Sequence, residues 1–256
     1  MQLISFSFPS IPQIRCAFQT RREGNSIGPY AQGNIAFNVG DYALNVLGNR
    51  NQLLQSLNLE ACSEVNQMHG DTMLLNAEPT PLNNPSLIEA DGLATSMPGL
   101  GLIIKTADCQ PILLASIDGL HIAALHVGWR GNRIDFIGKA VKEFCKSRNI
   151  SPRKLVAVRG PSLSPEKSEF INFDQEWGED FLPWYNRETK TMDLWQLSHY
   201  QLLKAGLENS NVFSLDLCTY SREDLFFSYR RDKKTGRQAS VIWIDYSDFK
   251  LMSRPF

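Results

Sequence analysis

Residues 106–131 read TADCQPILLASIDGLHIAALHVGWRG, and the pair Asp118-Gly119 in their middle decides how the rest is read. Two apolar runs on either side of an Asp-Gly pair are a strong hairpin signal. A two-residue turn there pairs Ile117 with Leu120, so that partners sum to 237 and His126 stands opposite Pro111. Side chains alternate faces along a strand. Cys109, two positions from Pro111, therefore points to the same side as His126, as a diagonal neighbour with Cβ atoms somewhat under roughly 7–8 Å away. A metal bonded at about 2.3 Å to sulfur and about 2.0 Å to nitrogen spans such a gap. His121 differs from His126 by five positions, which sends it to the other face. Pro111 sits awkwardly in a central strand and predicts an edge or a bulge.

Outward from this hairpin, the pattern predicts strands at 14–22, 101–106, 112–117, 120–126 and 155–158, with two short strands flanking His69-Gly70-Asp71. Helical spacing of apolar residues covers 46–57 and 135–148, and Asp193 is placed to cap a third helix that ends near Gly206. Residues 226–231 and 240–245 look like paired strands around Thr235-Gly236. Residues 162–191 give no clear pattern. No repeat or linker divides the chain, so 1–256 is expected to be one domain. Irregular alternation of strands with few helices predicts an α+β class, a mixed-sheet, β-sandwich-like domain flanked by helices. The Gly-rich stretch 24–40 lacks the GxGxxG of a dinucleotide fold.

Lys and Arg total 26 against 27 Asp and Glu, a formal charge of −1. That balance predicts no nucleic-acid partner and no anionic-lipid partner. No run approaches the roughly 18 apolar residues of a membrane helix, and the N-terminus lacks a signal peptide's basic and apolar regions. Five scattered cysteines without a CxxC suit reduced thiols in a cytoplasm. The expectation is a soluble cytoplasmic protein, monomer or small homo-oligomer, acting on a small molecule.

Three soft or borderline donors, His69, Cys109 and His126, make the pattern of a catalytic zinc site with one position open. His69 lies in a turn beside Gly70, a setting suited to a ligand that must be aimed. From spacing alone, core roles for all three are the more common outcome. Arg50 falls on the apolar face of the 46–57 helix, where a guanidinium needs a buried carboxylate, a cluster of carbonyls or an anionic ligand.

A series of motifs now becomes informative. Phe18-Gln19-Thr20-Arg21, Gly33-Asn34, Gly40-Asp41, Asn49-Arg50 and Gln67-Met68-His69-Gly70 are followed by Ala90-Asp91-Gly92 and Thr106-Ala107-Asp108-Cys109. His126-Val127-Gly128-Trp129-Arg130-Gly131, Gly160-Pro161, Cys218-Thr219, Ser228-Tyr229-Arg230-Arg231-Asp232 and Thr235-Gly236-Arg237 complete the set. In this order they resemble the YfiH-type laccase-domain proteins, regarded as purine nucleoside phosphorylases. The resemblance implies a metal held by His69, Cys109 and His126, with zinc as the ion and copper as an alternative occupant. It also implies phosphorolysis of adenosine and inosine, adenosine deamination and cleavage of methylthioadenosine. Purine nucleoside and phosphate are then the partners, with Asn34, Arg50, Arg130 and Arg230 as expected substrate or phosphate contacts. Asp91, Asp108 and Glu169 are candidates for orienting the ligands.

The sequence departs from that family at Asn38, where relatives often carry His, and at Met68, Glu23 and Ser168. Multicopper oxidation is rejected because one centre would use two of the four histidines, too few remaining for a cluster. A metal-free cysteine hydrolase or amidase, with Cys109 as nucleophile and His126 as base, is the alternative enzyme, since the related fold hosts such chemistry.

Overall fold

The computed structural model describes residues 1–245. From the N-terminus run β1 (Leu3–Ser7), β2 (Ile14–Gln19), helix α1 (Ala43–Leu57), β3 (Ala61–Glu64), β4 (Met73–Leu74), β5 (Gly92–Thr95), β6 (Leu100–Thr106), β7 (Gln110–Ser116) and β8 (Ile122–Val127). Next come α2 (Trp129–Arg133), α3 (Phe136–Arg148), β9 (Leu155–Arg159), α4 (Phe173–Glu176) and a ribbon of β10 (Tyr185–Asn186) with β11 (Thr191–Met192). The last elements are α5 (Leu194–Lys204), β12 (Val212–Ser214), α6 (Tyr229–Asp232) and β13 (Gln238–Ile244). None of the described helices is long and apolar enough to cross a membrane.

The expected β-sandwich-like arrangement is two stacked mixed sheets. One has the order β1-β2-β13-β6-β3 and the other β12-β9-β7-β8-β5-β4. Strand alternation explains the layering. On β7, Leu113 and Ala115 enter the core between the sheets, with Phe18, Ile104 and Ile242 facing them. Ile112 and Leu114 point the other way, under Phe136, Ala140 and Phe144 of α3. The five-stranded sheet does the same, sending Ala17, Ile103 and Val241 against Leu53, Leu54 and Leu57 of α1. The result is a four-layer helix–sheet–sheet–helix arrangement. Strands buried on both faces carry continuous apolar runs, and each large aliphatic side chain so buried contributes about 1.5–3 kcal/mol.

Two helices start where expected, while α1 begins at Ala43, three residues before the expected 46. Asp135 accepts a hydrogen bond from the Gly138 amide to open α3, and Asp193 accepts one from Gln196 to open α5. Other expectations need correction. Residues 226–231 are not a strand: Ser228 caps the short α6 by accepting from the Arg231 amide, and β13 pairs with β2 and β6 instead. β1 went unforeseen, and the 14–22 strand is shorter, Ile14–Gln19. Residues 162–191 hold short helices and the ribbon around a separate aromatic cluster of Phe170, Phe173 and Trp177. That cluster has no period because it is assembled from turns.

The β7–β8 connection is wider than two residues. Ser116 and His121 close it, the Ser116 amide donating to the His121 carbonyl at 2.9 Å. Asp118 accepts from the Leu120 amide at 3.0 Å and tightens the loop from inside. The register is nevertheless the one expected, with Pro111 opposite His126. β7 is central, between β8 and β9. Pro111 is tolerated there because its pair with His126 is a non-hydrogen-bonded one, His126's amide donating to the Asp91 carbonyl, and its nitrogen faces the side where the β7–β9 ladder has ended at Ile112–Arg159.

Candidate functional site

The register of β7 and β8 delivers Cys109 and His126 to one end of the six-stranded sheet, and the turn before β4 delivers His69. One donor atom from each of the three lies within 4.8 Å of the others. Cys109 Sγ is 3.8 Å from His69 Nε2, and the two imidazole rings meet edge to face with centroids 4.7 Å apart. A side chain at Gly128 would intrude here, since a Cβ would lie 2.9 Å from His69 Cδ2 and 3.1 Å from Cys109 Sγ. His121 stands elsewhere, its Nδ1 2.7 Å from Ser96 Oγ.

Asp91, directly before β5, organises the trio. Its buried carboxylate accepts from the backbone amides of Met68 at 3.1 Å, His69 at 2.9 Å and Gly70 at 2.6 Å. These bonds hold His69 in a left-handed conformation, φ 59°, that a non-glycine residue seldom takes. The same carboxylate lies 2.8 Å from His126 Nδ1. That contact leaves Nε2 as the ring nitrogen turned toward Cys109 and matches the carboxylate–histidine pairs behind metal ligands. Asp108 supports the loop from a different direction, accepting from Thr219 Oγ1 at 2.7 Å and the Arg230 amide at 2.6 Å. Among the described residues Glu169 takes part through its carbonyl, which accepts from Arg230 Nη1 at 2.7 Å.

The electrostatics couple Cys109 to His126. Burial pushes the Cys109 thiol up, but the charge of His126 and hydrogen bonds from both histidines outweigh it and bring its pKa down to about 6. Burial likewise opposes charge on His126, yet the Cys109 charge and the Asp91 hydrogen bond raise it to about 9. The pair at neutral pH is a thiolate beside an imidazolium. Burial raises the Asp91 carboxyl too, and its bonds to His126 and Gly70 prevail, leaving it below the ordinary range. A thiolate and two imidazoles with a carboxylate behind them fit a zinc ion, which takes three such protein ligands in catalytic sites.

The trio opens onto a cavity of about 470 Å³, within the range of small-molecule sites. Among the expected contacts, Arg130 lines this cavity, its guanidinium resting 4.5 Å over the Trp129 ring. Arg50 borders it as well but is already committed. Its Nη2 donates to both oxygens of Glu64 at 3.0 and 2.9 Å, its Nε to the Ile35 carbonyl, and its plane stacks on Phe37. The buried carboxylate and carbonyls thus meet the need that its place on the apolar helix face created. Asn34 is fully buried and does not reach the cavity. Its amide donates to Ala36 and Asp41 and accepts from the Ala36 and Arg237 amides, so its work is to shape the loop. Arg230 points to Glu169 and Phe170 and is absent from the cavity lining.

Two cations went unselected at the sequence level. Lys105 lines the cavity and donates to Glu64 at 2.7 Å. Arg237 lines it too, with Nη1 on the Thr235 and Gly236 carbonyls and no carboxylate partner among the described residues. Arg237 stands in a quoted motif and Lys105 in the 101–106 strand, but only packing shows which way they face.

Comparison with known proteins places this geometry. Residues 15–245 match the model of the family described as multi-copper polyphenol oxidoreductase laccase. The purine nucleoside phosphorylase YfiH of Escherichia coli K12 is 32% identical over 253 residues, covering 95% of this chain and 99% of that protein. The purine nucleoside phosphorylase of Haemophilus influenzae is 31% identical over 247 residues, covering 92% and 97%. Among solved structures, YlmD from Geobacillus stearothermophilus superposes with a TM-score of 0.83 at 27% identity, covering 93% of this chain and 94% of that one. Neisseria meningitidis protein NMB0706 gives 0.82 at 26% identity, covering 96% and 100%.

Proposed function

This chain belongs to the laccase-like YfiH family, and on that footing we propose that it is a zinc-dependent purine nucleoside phosphorylase acting on adenosine and inosine. Cleavage of methylthioadenosine and deamination of adenosine are part of the same reading. The observation that carries it is the convergence of His69, Cys109 and His126 on a cavity whose wall holds Lys105, Arg130 and Arg237.

His69, Cys109 and His126 would hold the ion, with Asp91 fixing the ring of His126 and the turn of His69. Zinc supplies Lewis acidity toward an oxygen ligand when bound. The chain's own cations do the remaining electrostatic work. Arg130 and Arg237 offer guanidinium donors to phosphate, which they suit by fork geometry. Lys105, shared with Glu64, adds charge to the same wall. In phosphorolysis a phosphate oxygen bonds to the ribose carbon as its bond to the purine nitrogen breaks, and the purine departs with a proton. Fixed cations favour the phosphate's placement for that displacement and offset the negative charge it brings. Among the described residues the grouped metal donors number three, which supports a single ion and not a copper cluster.

Purified protein incubated with adenosine, with and without inorganic phosphate, tests the proposal through product identity. Free adenine that forms only when phosphate is present is the expected result, and inosine formed without phosphate marks the deaminase branch. Adenosine that survives both incubations defeats the reading.

A metal-free thiol hydrolase is the second reading, and one observation favours it: Asp91, His126 and Cys109 form a carboxylate–imidazole–thiolate chain. Protein that turns over an amide substrate after complete metal removal, and stops on alkylation of Cys109, supports this alternative.

A further inference from the structure

The polar lining of the cavity separates into four chemistries: the metal donors, the cations, the hydroxyls of Ser86, Thr106 and Tyr229, and the amides of Asn38, Asn66 and Gln67. A hydroxyl carries one hydrogen on one atom, whereas an amide presents a donor and an acceptor side by side. Adenine and hypoxanthine are uncharged, so the cations answer phosphate, and an edge of the base needs a neutral donor and acceptor. The amides differ in what they have left to offer. Gln67 is spent, since its Nε2 donates to the Lys105 carbonyl at 2.8 Å and its Oε1 accepts from the Lys105 amide at 2.9 Å. Asn66 directs its Nδ2 to Met68 Sδ at 3.5 Å. The Asn38 side chain is exposed to the cavity and makes no hydrogen bond among the described residues.

Its backbone, in contrast, is held firmly. Asn34 donates to the Ala36 carbonyl at 3.1 Å and to Asp41 at 2.9 Å, while Tyr30 Oη donates to the Val39 carbonyl at 2.7 Å. Asn49, buried within α1, donates to the Asn34 carbonyl at 2.7 Å and to Ser26 Oγ at 2.9 Å. A free amide therefore stands on a loop braced on both sides. Next to it, Phe37 lines the same cavity, its ring fixed from behind by Arg50. A flat apolar surface beside an edge-reading polar group is what a purine requires.

We infer that Asn38 reads the 6-position of the purine and accommodates both adenine and hypoxanthine by turning its amide over. This inference rests on the nucleoside reading of the cavity given above. In one orientation the amide oxygen accepts from the 6-amino group while the nitrogen donates to N1. In the other, the nitrogen donates to the 6-oxo group and the oxygen accepts from the N1 hydrogen. A side chain that only donates or only accepts cannot serve both bases.

The test is phosphate-dependent cleavage of adenosine, inosine and unsubstituted purine riboside by the wild type and by Asn38→Leu, with zinc content measured on each protein. The wild type is expected to favour the two 6-substituted nucleosides over purine riboside in kcat/KM. Asn38→Leu is expected to cut that preference by about tenfold for both, the loss expected for one hydrogen-bonded group. The intrinsic reactivity of each nucleoside cancels in this ratio of ratios. A preference that is the same in both zinc-loaded proteins overturns the assignment to Asn38 and leaves the phosphorylase reading intact. A wild type that cleaves none of the three overturns both.

Discussion

Two buried charge clusters border one cavity, and they are finished to different degrees. In the first, Glu64 accepts two bonds from Arg50, one from Lys105 at 2.7 Å and one from the Ser86 amide at 3.3 Å. Burial works against its charge, and the two cations still hold its carboxyl below the ordinary range. In the second, Asp91 is equally well served by three amides and His126, yet Cys109 Sγ is met only by the rings of His126 and His69, at the wall of the cavity. A fully answered network fixes structure, and a network with donors left facing a cavity can bind something. The contrast separates an arginine that supports the cavity wall from a cysteine whose sulfur is left available at it.

The sharpest way to break this contrast is to remove one member from each side. C109A is expected to lose stoichiometric zinc and to lower phosphorolysis by more than about a hundredfold, beyond what the loss of an outer partner costs. Metal analysis and phosphate-dependent adenine release check both parts, while the melting temperature of the metal-free protein should stay close to that of the metal-free wild type. E64A is expected to act the other way round. It leaves Arg50 and Lys105 buried without their carboxylate and should destabilise the fold by about 3–5 kcal/mol, read by denaturant unfolding, with zinc still bound stoichiometrically by the folded fraction. If E64A instead released the metal without loss of stability, the division between the clusters would collapse.

A gentler probe is pH. Between about 6 and 9 the Cys109 thiol is ionised and His126 carries the proton. On the proposed reading zinc would need His126 neutral at Nε2, so its binding would release that proton. Affinity should accordingly rise with pH across this window, by about tenfold per unit at most, and level off above it. Chelator competition at several pH values measures the slope. A flat profile from pH 6 to 9 would mean that the thiolate–imidazolium pair is not the metal-free state.

Much of this site was legible in the sequence because local rules govern it. Alternation along β7 and β8 put Cys109 and His126 on one side, and the register held even though the turn widened to Ile117–Leu120, because Ser116 and His121 close it symmetrically. His69 had no such rule. Its turn setting made it a candidate and the motif resemblance added to that, but what aims it is Asp91, 22 positions away. The arginines were the least legible. Arg50 was recognised as needing a partner, but an apolar helix face cannot say that the partner is Glu64. Asn34 and Arg230 were expected at the substrate and lie outside the cavity lining, whereas Lys105 and Arg237 line it.

Taken alone, the amino-acid order determined the α+β class, the principal strands and helices, the neighbouring placement of Cys109 and His126, and a set of motifs specific enough to indicate a family. These follow from periodicity and short-range geometry, which act over a few residues. Tertiary structure alone decided the strand order of the two sheets, which cations face the cavity, and that Asp91 joins His69 and His126. Those outcomes depend on contacts between residues far apart in the chain, where a side chain's partner is set by how whole layers pack and not by its neighbours in sequence.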